Sequence, residues 1–148
     1  AGGNTTLRLV GTRLIQSREW AFQAFPDEFT EYVTYYSDPR WRGQFNVNYD
    51  LGNFRAKWDM IYVDGNLRVT PDSYKSNPGS QSPIRNPSYL YHNMQVGYKI
   101  ADSGVEVYLG VDNVFDKDPP VNYFGTDLGS SYYDMVGRYA YVGVTYKF

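Results

Sequence analysis

The stretch that decides the fold is the last one, Gly137-Arg138-Tyr139-Ala140-Tyr141-Val142-Gly143-Val144-Thr145-Tyr146-Lys147-Phe148. Counting back from the end, Phe148, Tyr146, Val144, Val142 and Ala140 take every second position, with Lys147, Thr145 and Gly143 between them. A period of two places these sets on opposite faces of a β-strand, one apolar and one mixed. Lipid on one side and a polar lumen on the other would produce this pattern. The alternative is a last strand buried in a soluble sandwich, so the neighbouring segments must decide.

Working outward, Val105 to Val111 alternates Val105, Val107, Leu109 and Val111 against Glu106, Tyr108, Gly110 and Asp112, and Leu90 to Ile100 alternates in the same way. Asp102-Ser103-Gly104 is a tight turn between them. Phe54 to Tyr62 sets Phe54, Ala56, Trp58, Met60 and Tyr62 against Arg55, Lys57 and Asp59, with Ile61 as the exception. Arg42 to Asp50 sets Phe45, Val47 and Tyr49 against Gln44, Asn46 and Asn48, and Leu51-Gly52-Asn53 joins these two strands as a hairpin. Thr5 to Ile15 is β-branched, with a face that switches near Val10 and Gly11, where a bulge is expected.

Three long connections remain: Gln16 to Arg40, Val63 to Ser88 and Val114 to Val136. They carry loop chemistry, rich in Pro, Gly, Asn and aromatic residues, with no clear period. Connection lengths thus run long, short, long, short, long. A sandwich has no reason to gather every long loop at one end, whereas an outer-membrane barrel has short periplasmic turns and long extracellular loops. Strands of this length also match a tilted crossing of the hydrocarbon layer. The expected fold is all-β, a transmembrane antiparallel β-barrel of which six up-and-down strands are present. Because about eight strands are the practical minimum for a closed barrel, they should be a sector of a larger one.

Bulk numbers agree. A net charge of −2 offers no nucleic-acid footprint. Mean hydropathy is −0.55, and no apolar run is long enough for a transmembrane helix, which leaves a barrel open because its strands alternate. There is no cysteine, hence no disulfide framework. Aromatic residues make up 18% of the 148 positions, with 16 Tyr, a side chain suited to membrane interfaces and sugar platforms alike. Ala1-Gly2-Gly3-Asn4 has neither the basic region nor the apolar core of a signal peptide, so further sequence upstream of residue 1 is expected.

The segment V-Y-L-G-V-D-N-V-F-D-K-D-P-P from Val107 to Pro120, followed by Tyr133-Asp134 and Gly137-Arg138-Tyr139, resembles the carboxy-terminal end of TonB-dependent outer-membrane receptors. In that family the penultimate strand ends in Asn-Leu-Phe-Asp, matched here by Asn113, Val114, Phe115 and Asp116. Upstream, Asp38-Pro39-Arg40-Trp41 is also similar to the group. The resemblance implies a barrel of about 22 strands around an amino-terminal plug, of which this chain is the last six strands, with the plug, the TonB-contacting box and the earlier strands absent. It implies energised uptake of a scarce nutrient in the siderophore, vitamin or carbohydrate class, with no covalent chemistry and no cofactor. The implied partners are the rest of the barrel and plug, the TonB complex through the missing amino-terminal part, the assembly machinery, lipid and lipopolysaccharide. Tyr146 and Phe148 would be the assembly signal. A passive porin or adhesin barrel and a soluble carbohydrate-binding sandwich are the competing readings.

Candidate sites are few. Trp20, Tyr32, Tyr35, Tyr36, Tyr123, Phe124, Tyr132 and Tyr133 lie in the long loops and are candidate ligand contacts, or else self-packing loop cores. Trp41, Trp58, Tyr62, Tyr89, Tyr98, Tyr146 and Phe148 are expected in membrane girdles. Asp112, Asn113, Asp116, Lys117 and Asp118 form a polar cluster that lacks the Gly and distal Glu of a calcium loop, and turn formation suits it better. His92, the only histidine, sits on the apolar face near Ser88; with no further His it assembles neither a metal site nor a triad. Arg40, Arg42, Arg68, Lys75, Arg85 and Arg138 are available on the loop side for lipopolysaccharide phosphates.

Overall fold

The computed structural model describes residues 2–120, 132–133 and 136–148. In chain order the elements are β1 (Asn4–Arg13), β2 (Arg18–Glu19), β3 (Thr30–Glu31), β4 (Trp41–Leu51), β5 (Phe54–Val63), β6 (Asn66–Leu67), α1 (Pro71–Ser76), β7 (Arg85–Asn86), β8 (Tyr89–Lys99), β9 (Val105–Asp112) and β10 (Tyr139–Tyr146). The long strands form one six-stranded sheet in the order β1-β4-β5-β8-β9-β10. Every neighbouring pair is antiparallel, which gives an up-and-down meander. Two small ladders, β2-β3 and β6-β7, stand apart from it in the long loops. The sheet is not closed: β1 and β10 are its two edges.

Register carries the alternation of each strand across the whole sheet. Leu7 pairs with Val47, Val47 with Trp58, Trp58 with Met94, Met94 with Val111 and Val111 with Ala140. That row is apolar throughout; it crosses the middle of β1, β4, β5 and β8 and reaches the long-loop end of β9 and β10. The adjacent row on the other face runs Thr6, Asn48, Lys57, Gln95, Gly110 and Tyr141. A slip of one residue anywhere would exchange the two faces. The apolar face is bare, with Leu9 78% and Val142 72% exposed. In a sandwich a second layer would cover it; among the described residues none does. The buried hydrophobic side chains, Val33, Val63, Leu67, Tyr89, Tyr91 and Tyr133, gather instead at the long-loop end.

Both short turns lie at the opposite end. Gly52 and Gly104 supply φ of +57° and +69° there, angles that L side chains avoid. At Gly104 an added Cβ would also meet the carbonyl oxygen of Lys147, so the second turn is packed against the end of the closing strand. Lys147 N donates to Gly104 O at 2.9 Å.

Three expectations need correction. No bulge interrupts β1, whose register with β4 runs unbroken from Asn4↔Asp50 to Arg13↔Trp41. Val10 does turn inward, but it shares a row with Gln44, Ile61 and Tyr91. Near the long-loop end the inner face becomes apolar where the loops cover Val63, Tyr89 and Tyr91, and Ile61, the exception in β5, packs against that cluster, while Val10 at the sheet's edge stays exposed. Tyr89 is no girdle residue, being buried with Val63, Tyr91 and Tyr133 in that covered zone. The connection from Val63 to Ser88 is not all loop. Thr70 caps α1, its hydroxyl accepting from Ser73 N at 3.3 Å, with Pro71 in the first turn, Asp72 near the start and Lys75 near the end. With six residues and none of them buried, this helix has no apolar period to reveal it.

The two faces should respond differently to charge. Met94→Arg, at mid-height on the bare face, is expected to destabilise the inserted barrel by about 2–4 kcal/mol, and Thr6→Arg on the inner face by less than about 1 kcal/mol, in equilibrium unfolding from lipid vesicles. Equal costs would show that the faces are assigned wrongly.

Candidate functional site

Chemistry-bearing residues fall in two zones, the inner wall of the sheet and the loops at its long-loop end. On the wall the charges pair with one another. Arg55 Nε lies 2.9 Å from Asp50 and its Nη1 3.3 Å from Glu106, which joins β4, β5 and β9. Lys57 Nζ is 2.8 Å from Asp59, and Asp59 also accepts from Asn46 Nδ2. Such half-exposed pairs contribute little to stability individually; Arg8 and Lys99 also face inward, outside these pairs.

The first long loop is organised around Glu31. Its Oε1 accepts from Ser17 N at 3.0 Å and Val33 N at 3.1 Å, and its Oε2 lies 3.3 Å from Arg18 Nε. Burial would push this carboxyl up, but the two backbone N–H groups and Arg18 outweigh it and hold the carboxyl below its ordinary value. Arg18 in turn stacks over Phe29 at 4.0 Å, Trp20 lies 6.0 Å from Phe29, and Trp20 Nε1 donates to Pro26 O at 2.8 Å. Tyr32, Tyr35 and Tyr36 form a run with centroid spacings of 5.6 and 4.1 Å. Trp20 thus remains exposed at the tip, while the three tyrosines are half-buried against each other.

The loops are joined by a buried polar chain. Arg68 Nε donates to Asn86 Oδ1 at 2.8 Å, Asn86 Nδ2 to Asn66 Oδ1 at 2.8 Å, and Asn66 Nδ2 to the Tyr133 hydroxyl at 2.6 Å. Asn66 is 1% exposed, so each of these bonds replaces a hydration that burial removes. Tyr133 packs edge-on to Tyr89 at 5.1 Å, and Arg42 stacks over Tyr132 at 4.8 Å. The first loop docks on the second where Leu67 N donates to Thr34 O at 2.6 Å.

Of the candidate ligand contacts, Trp20 is therefore open, Tyr32, Tyr35, Tyr36 and Tyr132 are half-buried, and Tyr133 is inside the packing. Tyr123 and Phe124 lie outside the described residues. Of the loop-side cations, Arg42, Arg68, Lys75, Arg85 and Arg138 are each engaged within the loops. Sequence reasoning missed the buried amides Asn66 and Asn86, because an Asn in loop chemistry reads as a turn former and only packing shows it buried.

The Asn113-Val114-Phe115-Asp116 motif is an anchor. Asn113, at φ +49°, ends β9 with its side chain closing a ring onto Lys117: Nδ2 donates to Lys117 O at 3.0 Å and Oδ1 accepts from Lys117 N at 2.8 Å. Its own N–H donates to Asn93 Oδ1 at 2.9 Å. Asp116 Oδ1 accepts from Arg138 N at 2.9 Å, holding the approach to β10. Phe115 turns to the outer face and meets His92 edge-on at 4.9 Å, while Trp58 Nε1 donates to His92 Nδ1 at 3.2 Å. His92 thus stands on the outer face between two aromatic rings. Among the described residues no group of three His, Cys, Asp or Glu gathers to hold a metal ion.

Two outcomes follow. Asn113→Ala removes two hydrogen bonds at a buried position and should destabilise the end of β9 by about 1–3 kcal/mol, read as faster hydrogen exchange of the Lys117 amide. A depressed carboxyl stabilises above its unfolded value and loses that contribution as pH falls through the folded one. The Glu31 hairpin should accordingly become protease-sensitive below the ordinary value of 4.5, and Glu31→Gln should abolish the pH dependence.

The chain matches the family described as TonB dependent receptor-like, beta-barrel over residues 5–114, which takes in β1 to β9. No curated protein and no solved structure matches it. The sheet's bare apolar face, polar inner wall and one-sided long loops are what such a barrel requires. By that match the chain belongs to the TonB-dependent receptor-like β-barrel family, found in the Gram-negative outer membrane.

Proposed function

We propose that this chain is the carboxy-terminal barrel sector of a receptor that takes up a scarce nutrient across the outer membrane, with energy delivered through TonB. The observation that carries this reading is the pairing of a lipid-ready face with a polar, charged inner wall on a single sheet, crowned by long loops of which the second and third are tied through Asn66 and Tyr133 and the first docks on the second at Leu67. In the complete protein, a plug domain and the earlier strands would lie upstream, completing about 22 strands. Ligand would bind at the outer loops and plug apex, where Trp20, Tyr32, Tyr35, Tyr36, Tyr123, Phe124, Tyr132 and Tyr133 are the contacts this sector can offer or support. Plug rearrangement, driven through TonB by the inner-membrane proton gradient, would then release the ligand inward. The sector supplies wall and loops, and no covalent step.

Tyr146 and Phe148 are assigned to recognition by the outer-membrane assembly machinery. Phe148 is fully exposed beyond the end of β10 and is available for such a contact. Lipopolysaccharide would meet the outer rim, where Arg13 stacks on Trp41 at 5.3 Å on the lipid-facing row.

Two measurements test this. Uptake of the nutrient by cells carrying the complete gene should fall to background when TonB is deleted; undiminished uptake would instead indicate a passive barrel. Deleting Phe148 should lower the heat-modifiable, membrane-inserted fraction several-fold, while Phe148→Tyr should insert normally.

A further inference from the structure

The inner face of the last two strands differs from the rest of the wall. On β10 every inward position, Tyr139, Tyr141, Gly143 and Thr145, is uncharged; Tyr108 and Gly110 face the middle of this row from β9, with Asp112 opposite Tyr139 and Glu106 opposite Thr145 at its two ends. Tyr139 and Tyr141 stack at 5.8 Å with 23° between planes, and Tyr141 meets Tyr108 at 6.3 Å. The three rings descend the wall from the loop end toward the short-turn end. Tyr108 is level with Gly143, four residues below Tyr139, so the run spans about 13 Å of strand.

Glycine makes the arrangement possible. Tyr141 lies across Gly110, and Tyr108 across Gly143, each ring occupying the place where the partner's Cβ would be. Each phenol is therefore braced against the opposite backbone, as a surface rather than a swinging arm. Of the charges beside it, Glu106 shares Arg55 with Asp50 and Lys57 pairs with Asp59, so this strip presents aromatic area and hydroxyls between the carboxylates of Asp112 and Glu106. Gln95 Nε2, 3.5 Å from the Tyr141 hydroxyl, adds an amide.

We infer that this tyrosine run is a stacking track for an uncharged, hydroxyl-rich ring, that is, a neutral pyranose oligosaccharide. A pyranose has apolar C–H faces that lie on a phenol ring and a hydroxyl rim that bonds to phenol oxygens and amides, the two surfaces that Tyr offers together. An anionic ligand would meet the carboxylates of Asp112 and Glu106 at the two ends of the run. The inference rests on the receptor reading and specifies its ligand class.

The test uses the complete receptor in detergent, titrated calorimetrically with maltohexaose, cellohexaose and xylohexaose, and with an oligogalacturonate as acidic control. One neutral series should bind. Tyr139→Ala and Tyr141→Ala should each weaken it about tenfold, and Tyr141→Phe, which keeps the ring, by less than about threefold. Membrane insertion of each variant is checked by heat-modifiable mobility, and should Tyr141→Ala fail to insert, Tyr139→Ala decides, since that ring is already 52% exposed. The inference is overturned if none of the three neutral sugars binds, or if the alanine variants bind like wild type. A loss of thermal stability with unchanged affinity also overturns it, because the run would then pack only against the plug. TonB-independent uptake of a bound sugar would sink the transport reading and leave the track standing. TonB-dependent uptake of another ligand, with no sugar bound, would do the reverse.

Discussion

Everything in this chain depends on the backbone hydrogen bonds between neighbouring strands. In hydrocarbon no water satisfies an N–H or C=O, and each one left unpaired costs several kcal/mol. The five antiparallel ladders from β1 to β10 meet that demand inside the sheet, and the outer edges of β1 and β10 do not. The same constraint that makes the meander regular therefore requires further strands at both edges, as the family's closed barrel provides.

Given those ladders, side chains are sorted by which face they meet. On the outer face the rows are apolar at mid-height and end in Trp, Tyr and a His92 held between Trp58 and Phe115, side chains at home where hydrocarbon gives way to headgroups. On the inner face Arg55 and Lys57 pair with Asp50, Glu106 and Asp59, so part of the wall's charge is matched locally. Where the loops fold over it, the wall turns apolar at Ile61, Val63, Tyr89 and Tyr91, and a buried cluster forms there. The sheet needs no core of its own because the bilayer takes that place. The loops, standing in water, do need one.

The loops are held by a small number of well-placed polar groups. Glu31 gathers two backbone donors and Arg18 in the first, the Asn86–Asn66–Tyr133 chain joins the second to the third, and Asn113 and Asp116 hold the path from β9 to β10. An outer mouth of this kind can stay ordered while presenting Trp20 and its neighbours to solvent.

The sequence by itself determined the strands, their faces and the one-sided loops, because a period of two is written residue by residue and lipid demands it along every crossing. The motif at Asn113 to Asp116 was legible as an anchor for the same local reason, since its ring closes onto Lys117 only four residues away. What required tertiary structure was anything set by sequence-distant neighbours. Val10 and Ile61 looked like errors of pattern until register placed them in one inward row that ends at buried Tyr91. Tyr89 looked like a girdle residue until Tyr133 was seen beside it, and the matching of Tyr108 to Gly143 and Tyr141 to Gly110 exists only across the β9–β10 ladder. Alternation tells a side chain which face it is on. Only the packed sheet and loops decide what it meets there.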